Sequence, residues 1–350
     1  MEKKFKVENL DSIKKKNFLL IGSNFKYSIE QSYLRSFKKL KINNVDFLCE
    51  NKNFVLKILK KYMNRYIVNI YYILYRKFII NFLKNTKKYD YVIIFKGIEF
   101  DLKTLNKIKE YQSVAKWINI YTDNPFNLNS ASCSNLNVLN SIRFYDFFCT
   151  SFSYKLNKKL QKYKVKKHIF VPFAYDEKIH RFSRKTKKTS NITKINFVGA
   201  HDIYREKFLE KLDMEIDIFG PGWKNSNLKN NKIKIFDGFV FGKKLANIFT
   251  SYSGSLNILR EQDYGSHNMK TFEIPAMGGA MLTPRNMEQK KFFLENKHCL
   301  MYSNFSELRK KIKFLITNKN KVRKIKKEAF LISKNYNYGN RLKYLLSKIS

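Results

Sequence analysis

The chain has 350 residues, 44% hydrophobic and 16% aromatic, with 70 Lys+Arg against 28 Asp+Glu for a formal net charge of +42. Such apolar content excludes an intrinsically disordered chain, and the length admits two domains with separate cores. The charge suits nucleic acid, an anionic membrane surface or a phosphorylated ligand, yet Lys, Asn and Ile are over-used throughout, as compositional bias alone produces.

No RNP-like aromatic motif, zinc-finger spacing or helix-turn-helix signature marks a nucleic-acid binder. Cys49, Cys133, Cys149 and Cys299 have neither C-x-x-C nor Cys/His metal spacing and read as reduced packing thiols. The opening MEKKFKVENLDSIKKK lacks the apolar core of a signal peptide. No apolar run reaches the length of about 18 residues that a spanning helix needs. A cytoplasmic protein is expected, with the inner face of a membrane as a peripheral location.

Asn17–Ile21 predicts a buried first strand, and Gly22-Ser23-Asn24 a turn out of it. Ser28–Leu40 follows as a helix with Ile29, Tyr33, Leu34 and Phe37 on one face, and Val45–Cys49 as the second strand. This is a Rossmann-type start without G-x-G-x-x-G. From Phe54 to Leu83 apolar residues recur at three and four, with Lys57, Lys60, Lys61 and Arg65 on the other face. The pattern predicts a basic amphipathic helix or helix pair, covering the first sheet or docking on anionic lipid.

Tyr89–Lys96 and Ala115–Tyr121 read as strands around a helix over Leu102–Glu110. The second runs into Thr122-Asp123-Asn124-Pro125-Phe126, which places Asp123 at the carboxyl end of a parallel strand, where ligands bind. There it would either orient or deprotonate an acceptor hydroxyl or cap the turn before Pro125. Asp146–Cys149 and His168–Pro172 complete this half. The polar, basic stretch containing RFSRKTKKTS reads as a linker. The expected division is therefore a domain over residues 1–175, a linker over 176–194, a second domain over 195–335 and a C-terminal helix over 336–350.

The second half restarts the alternation. Strands are predicted at Ile195–Val198, Glu215–Phe219, Lys232–Phe236, Ser255–Leu259 and His298–Tyr302. Helices are predicted at Tyr204–Leu212, Gly242–Tyr252, Phe305–Leu315, Lys321–Ser333 and Arg341–Ile349. His201 follows the Gly199 turn and is expected to face the cleft, whereas His168, His180 and His298 read as structural.

The stretch Asn257–Thr283, NILREQDYGSHNMKTFEIPAMGGAMLT, carries most of the candidate chemistry. Strand, polar loop, helix start, Gly-Gly and strand make one turn of an α/β wind, and such turns bind anions at the helix N-terminus. Pro275 lacks an N–H and belongs in a first turn, so the helix is expected to begin near Thr271 or to kink. Gly278-Gly279 would end it. Lys270 and backbone N–H groups near Asn268–Thr271 would face phosphates, and Arg205 either joins them or is a surface residue on its helix; Asn268 lies in the loop with His267, which either contacts phosphate or sugar or is solvated, and Glu273 would grip hydroxyls or merely sit as a charge at the helix start.

These segments together resemble the CgeB-like (spore maturation protein) glycosyltransferases, a branch of the GT-B group. The resemblance rests on YDYVIIFKG, TDNPF, HIFVPFAYD, NFVGAH with Arg205, DIFGPGW, SLNILR and NMKTFEIPAMGGAMLT, in that order. It implies an α/β fold of two facing Rossmann-like domains, with the C-terminal helix returning to the first. It also implies transfer of a sugar from a nucleotide-diphosphate donor to a glycan, lipid-linked or protein acceptor in cell-surface glycan or glycoconjugate synthesis. Neither metal nor cofactor is expected. Glu273 followed five residues later by Gly278 matches the ribose-holding arrangement of related GT-B families. A second glutamate that relatives often carry eight positions earlier is replaced by Gly265, with Glu261 and Asp263 nearby, and a usual arginine by Lys270. Asp123 and His267 are the catalytic candidates; Gly199, Arg205, Asn268, Lys270, Glu273 and Gly278 are the donor-site candidates. The competing expectation is a non-catalytic basic protein of GT-B type that binds nucleic acid or an anionic membrane surface.

Overall fold

The computed structural model describes residues 10–50, 53–62, 66–128, 134–151, 156–182, 192–260 and 265–350. Residues 183–191 of the expected linker, the first nine residues, Arg65, Cys133, Glu261 and Asp263 lie outside that set. The chain divides into two compact units, Met1–Pro172 with Tyr338–Ser350, and Phe173–Asn337.

The first unit runs α1 (Leu10–Lys14), β1 (Phe18–Ile21), α2 (Ile29–Lys39), β2 (Val45–Leu48), α3 (Phe54–Lys61) and α4 (Ile67–Lys84). It continues with β3 (Tyr91–Phe95), α5 (Leu102–Tyr111), β4 (Lys116–Tyr121), α6 (Leu136–Ser141), β5 (Phe147–Thr150), α7 (Asn157–Gln161) and β6 (His168–Phe170). Its six strands lie in the order β2-β1-β3-β4-β5-β6, and every pairing is parallel. Strands buried on both faces read as continuous apolar runs, because alternation would leave polar side chains without water. β1 and β3 are buried at every position.

The second unit comprises β7 (Ile192–Val198), α8 (Ile203–Leu212), β8 (Ile216–Gly220), β9 (Ile233–Asp237), α9 (Gly242–Ser251) and β10 (Tyr252–Leu256). α10 (Lys270–Ala276), β11 (Met281–Pro284), α11 (Met287–Phe292), β12 (Leu300–Tyr302), α12 (Phe305–Thr317) and α13 (Lys319–Ser333) follow. Its sheet order is β12-β11-β10-β7-β8-β9, again all parallel. In both sheets the order reverses beside the first strand, and the crevice at such a switch point is where open α/β sheets bind ligands. In the second unit it lies at the exits of β7 and β10. The last helix, α14 (Tyr338–Ile349), packs on α2 in the first unit, with the rings of Tyr33 and Tyr338 5.5 Å apart.

The strand expected over Ser255–Leu259 is β10, ending at Leu256. Ile258 and Leu259 are buried by packing and not by strand pairing, and an apolar pattern does not separate the two. The periodic stretch from Phe54 is a helix pair, α3 and α4, with Leu56, Tyr71, Tyr75, Ile79 and Leu83 turned into the core.

Candidate functional site

The site in the second unit is built around the exit of β10. Asn257 is buried there, and its amide donates to the hydroxyls of Thr271 and Thr283, each at 3.3 Å. Its Oδ1 accepts from Asn268 Nδ2 at 2.9 Å. Gln289 Nε2 donates to Thr271 Oγ1 at 3.0 Å. This buried polar network joins the ends of β10 and β11 to the start of α10, and it fixes all three because each of these buried groups is costly to leave unmade.

The network changes the expected anion cradle. Asn268 Oδ1 accepts from the Thr271 N–H at 3.1 Å, and the N–H groups of Phe272 and Glu273 each donate to Met269 O at 3.0 Å. The N–H groups of Thr271, Phe272 and Glu273 are thus already engaged. Of the backbone N–H groups expected to face phosphate near Asn268–Thr271, that of Thr271 is taken by the Asn268 side chain.

Glu273 is only 2% exposed. Lys270, one turn earlier, forms an ion pair with its Oε2. His180 Nε2 lies 3.7 Å from Oε1, and His180 Nδ1 accepts the N–H of Asp176 at 3.0 Å, which leaves the ring hydrogen on Nε2, toward Glu273. Burial pushes the Glu273 pKa up, but the Lys270 ammonium and His180 outweigh it and hold the carboxyl below its ordinary value. His180, expected to be structural, stands far from Glu273 along the chain, in no motif, and only folding brings them together.

α10 begins at Lys270, one residue ahead of expectation, and Pro275 is its sixth residue rather than part of its first turn. The helix tolerates it because it ends one residue later. Gly279 N–H donates to Ile274 O at 2.9 Å and Gly278 N–H to Pro275 O at 3.0 Å, a Schellman closure with Gly278 at φ +84°. A Cβ on Gly278 would lie 2.7 Å from the ring of Phe182.

The β7 exit is held as tightly. Gly199 O accepts from Trp223 Nε1 at 2.8 Å, and Gly199 N–H donates to Phe219 O at 2.9 Å. Arg205, expected at a phosphate, is 8% exposed and donates to Ala200 O at 2.9 Å and to Ile258 O at 3.4 Å. Its guanidinium also lies over the Phe197 ring, 5.4 Å from the centroid. These contacts tie the β7 loop to the β10 exit, so Arg205 shapes the crevice wall. His201 is engaged with Glu206 at 2.6 Å and packs on the edge of Trp223.

His267, expected as a catalytic group, is fully buried. Nδ1 bonds Glu288 Oε2 at 2.8 Å, and Nε2 accepts the Phe173 N–H at 3.1 Å. The rings of Phe173, Phe272 and Phe292 surround it. A ring with both nitrogens engaged and no path to water is not placed to shuttle protons, which argues for positioning and against acid–base work.

In the first unit Asp123 follows β4 and forms an ion pair with Lys96, which follows β3 in the left-handed region at φ 55°. The two strands are neighbours, so their exits present the pair together at the carboxyl edge of the sheet. Beside the second-unit network, Gly265 lines a cavity of about 510 Å³ with Ile258, Leu259, Asn286, Tyr302 and Ser303. Gly265 has φ +83°, and a Cβ there would meet nothing within 4 Å. Among the described residues no group of three or more His, Cys, Asp or Glu is arranged to hold a metal ion.

Residues 205–347 match a protein family described as "Glycosyl transferase-like". No curated protein matches the chain. Solved structures share its fold at low identity. Anabaena HepE in complex with UDP and glucose is 9% identical with a TM-score of 0.58, covering 95% of this chain and 100% of its own. A glycosyltransferase from Rickettsia africae is 14% identical with a TM-score of 0.61, covering 95% and 98%. The N-terminal domain of Candida albicans trehalose-6-phosphate phosphatase is 12% identical with a TM-score of 0.65, covering 96% of each chain. The two parallel six-stranded sheets with interleaved helices are thus the architecture of the GT-B glycosyltransferases, and the second unit carries most of the glycosyl transferase-like match.

Proposed function

We propose that this protein is a glycosyltransferase of the CgeB-like kind, moving a sugar from a nucleotide-diphosphate sugar to an acceptor. The observation that carries the reading is the buried Glu273 carboxylate paired with Lys270 at the start of α10, beside the switch point of the second sheet. The family match over that region and the complex of HepE with UDP and glucose support it.

In this reading the ribose hydroxyls donate to Glu273, taking over the charge that Lys270 and His180 now balance. Lys270 then turns to the pyrophosphate, where the leaving diphosphate gains negative charge as the glycosidic bond breaks. A lysine there acts as a point charge, without the bidentate geometry of an arginine. Asn268 and Gly278 hold α10 in place, Gly199 and Arg205 shape the facing wall, and His267 positions the loop from behind. The cavity beside Gly265 receives part of the donor. Asp123, balanced by Lys96, orients the acceptor hydroxyl. No step in this reading calls for a metal or cofactor. The acceptor belongs to cell-surface glycan or glycoconjugate assembly, as the sequence resemblance implies, and the protein to the cytoplasm, as expected from its sequence.

Isothermal titration against UDP-, GDP-, ADP-, TDP- and CMP-sugars tests the proposal, with one class expected to bind and Glu273→Ala to abolish that binding. No binding by any of them, or binding indifferent to Glu273→Ala, overturns it.

A further inference from the structure

The helix pair α3–α4 has two apolar faces, one packed into the core and one exposed among the described residues. Tyr71, Tyr75, Ile79 and Leu83 enter the core. On the outer side Phe54, Val55, Ile58 and Tyr62 of α3 and its end, and Tyr66, Ile70 and Ile73 at the start of α4, are all exposed, Phe54 at 76% and Tyr66 at 85%. The spacing 54, 55, 58, 62 and then 66, 70, 73 is one stripe on each helix, and the two helices pack against each other. Scattered surface hydrophobics are ordinary, whereas seven on two consecutive helices form a patch that asks for a partner.

The charge around the patch identifies the partner. Residues 51–89 contain eight lysines and two arginines and no Asp or Glu at all. Lys57, Lys61, Lys77 and Lys84 are exposed on the same two helices. A second copy of this chain would set two carboxylate-free basic faces against each other, so like charges oppose that pairing. Nucleic acid would use the lysines and the tyrosines, but it offers nothing to Val55, Ile58, Ile70 and Ile73. An anionic bilayer uses every part. Aliphatic side chains enter the acyl boundary, Phe and Tyr sit at headgroup depth, and lysines reach the phosphates with their stems along the apolar surface. Among the described residues no helix is long and apolar enough to cross a membrane, so the contact is with the surface.

We infer that the outer face of α3–α4 is a docking surface for an anionic lipid bilayer. It stands on observations in the first unit alone, independent of the donor site.

The test is flotation of the full chain with vesicles of phosphatidylcholine alone and of phosphatidylcholine with phosphatidylglycerol. The wild type floats with the anionic vesicles and not with the neutral ones, and added salt weakens the binding. Val55→Glu combined with Ile70→Glu lowers the bound fraction at least about tenfold, since lysines near such a surface contribute about 1 kcal/mol each and introduced carboxylates act oppositely. Lys321→Gln combined with Lys324→Gln, exposed on α13, removes as much net charge elsewhere and leaves flotation within about twofold of wild type. Circular dichroism checks folding; should the glutamate pair unfold the protein, Lys57→Gln with Lys61→Gln replaces it and is expected to weaken anionic binding. Equal flotation on neutral vesicles, no flotation at all, or equal loss in the α13 variant overturns the inference. UDP titration on the same samples keeps the two proposals separate, because the docking variants are expected to retain whatever nucleotide binding the wild type has.

Discussion

The backbone N–H of Phe173 donates to Nε2 of His267, and that bond decides the tautomer of a buried imidazole. With Nε2 accepting, the ring hydrogen sits on Nδ1 and is donated to Glu288 Oε2. A histidine placed in a polar loop by the sequence is thus a neutral spacer between a backbone amide and a buried carboxylate.

Truncating it removes the acceptor of the Phe173 N–H and one donor to Glu288 Oε2, which keeps Ser266 Oγ at 2.8 Å, and opens a void among three phenylalanine rings. His267→Ala is expected to lose about 2–4 kcal/mol of stability, read as a lower urea midpoint at unchanged slope. A midpoint equal to wild type would show that the Phe173 and Glu288 bonds contribute nothing.

Glu273→Gln keeps the shape and removes the charge. Nucleotide binding is expected to weaken at least about tenfold, as the loss of one hydrogen bond to a charged group predicts. The pH dependence follows from the lowered pKa of Glu273. A depressed carboxyl contributes stability that is present above its unfolded value and is lost as pH falls through the lower folded value. Wild-type binding should therefore persist to pH below the usual carboxylate range, and titration calorimetry carried below about pH 4 checks it.

Gly220 and Gly238 form a controlled pair of substitutions. A Cβ at Gly220, where φ is +152°, would lie 2.1 Å from Gly199 O, whereas at Gly238, with φ +112°, it would meet nothing within 4 Å. Gly220→Ala must push the β7 exit away and is expected to cost more than about 3 kcal/mol; Gly238→Ala carries backbone strain alone, about 1–3 kcal/mol. Thermal melts of the two variants side by side should separate them, and equal melting would contradict the close approach.

Lys326 donates to Thr250 O at 3.3 Å and Tyr252 O at 2.8 Å, closing the end of α9, and burial pulls its pKa from 10.5 down to about 8. The sign is opposite to that of a paired lysine. Between pH 8 and 10.5 the unfolded chain holds more protons at this site, so its contribution to stability rises with pH, by at most about 3 kcal/mol. Lys326→Met is expected to lose that rise. Melting wild type and variant across the window tests it: their difference should shift toward wild type as pH increases.

The repeating α/β wind was legible from composition and period alone. Fully buried parallel strands must be apolar at every position, and runs such as FLLI and YVIIF satisfy that with no information from elsewhere in the chain. The Gly278-Gly279 stop was equally legible, since a left-handed residue after a short helix selects glycine locally. The length of β10 was not, because burial by packing and burial by pairing leave the same apolar trace.

For the candidate site the division is sharper. The sequence by itself determined which short segments cluster at the sheet exits, because each exit is a local strand-to-loop transition with its own Gly, Asn or Asp. Only the tertiary structure decided what those side chains touch. Arg205 and the N–H groups of Thr271, Phe272 and Glu273 are already engaged by carbonyls and by Asn268, His267 is sealed beneath Phe173, and His180 arrives beside Glu273 from a distant segment. The physical reason is that hydrogen-bond and ion-pair partners are chosen by distance in space. Spacing along the chain constrains that distance within one helix, as for Lys270 and Glu273, and not between segments brought together by the fold.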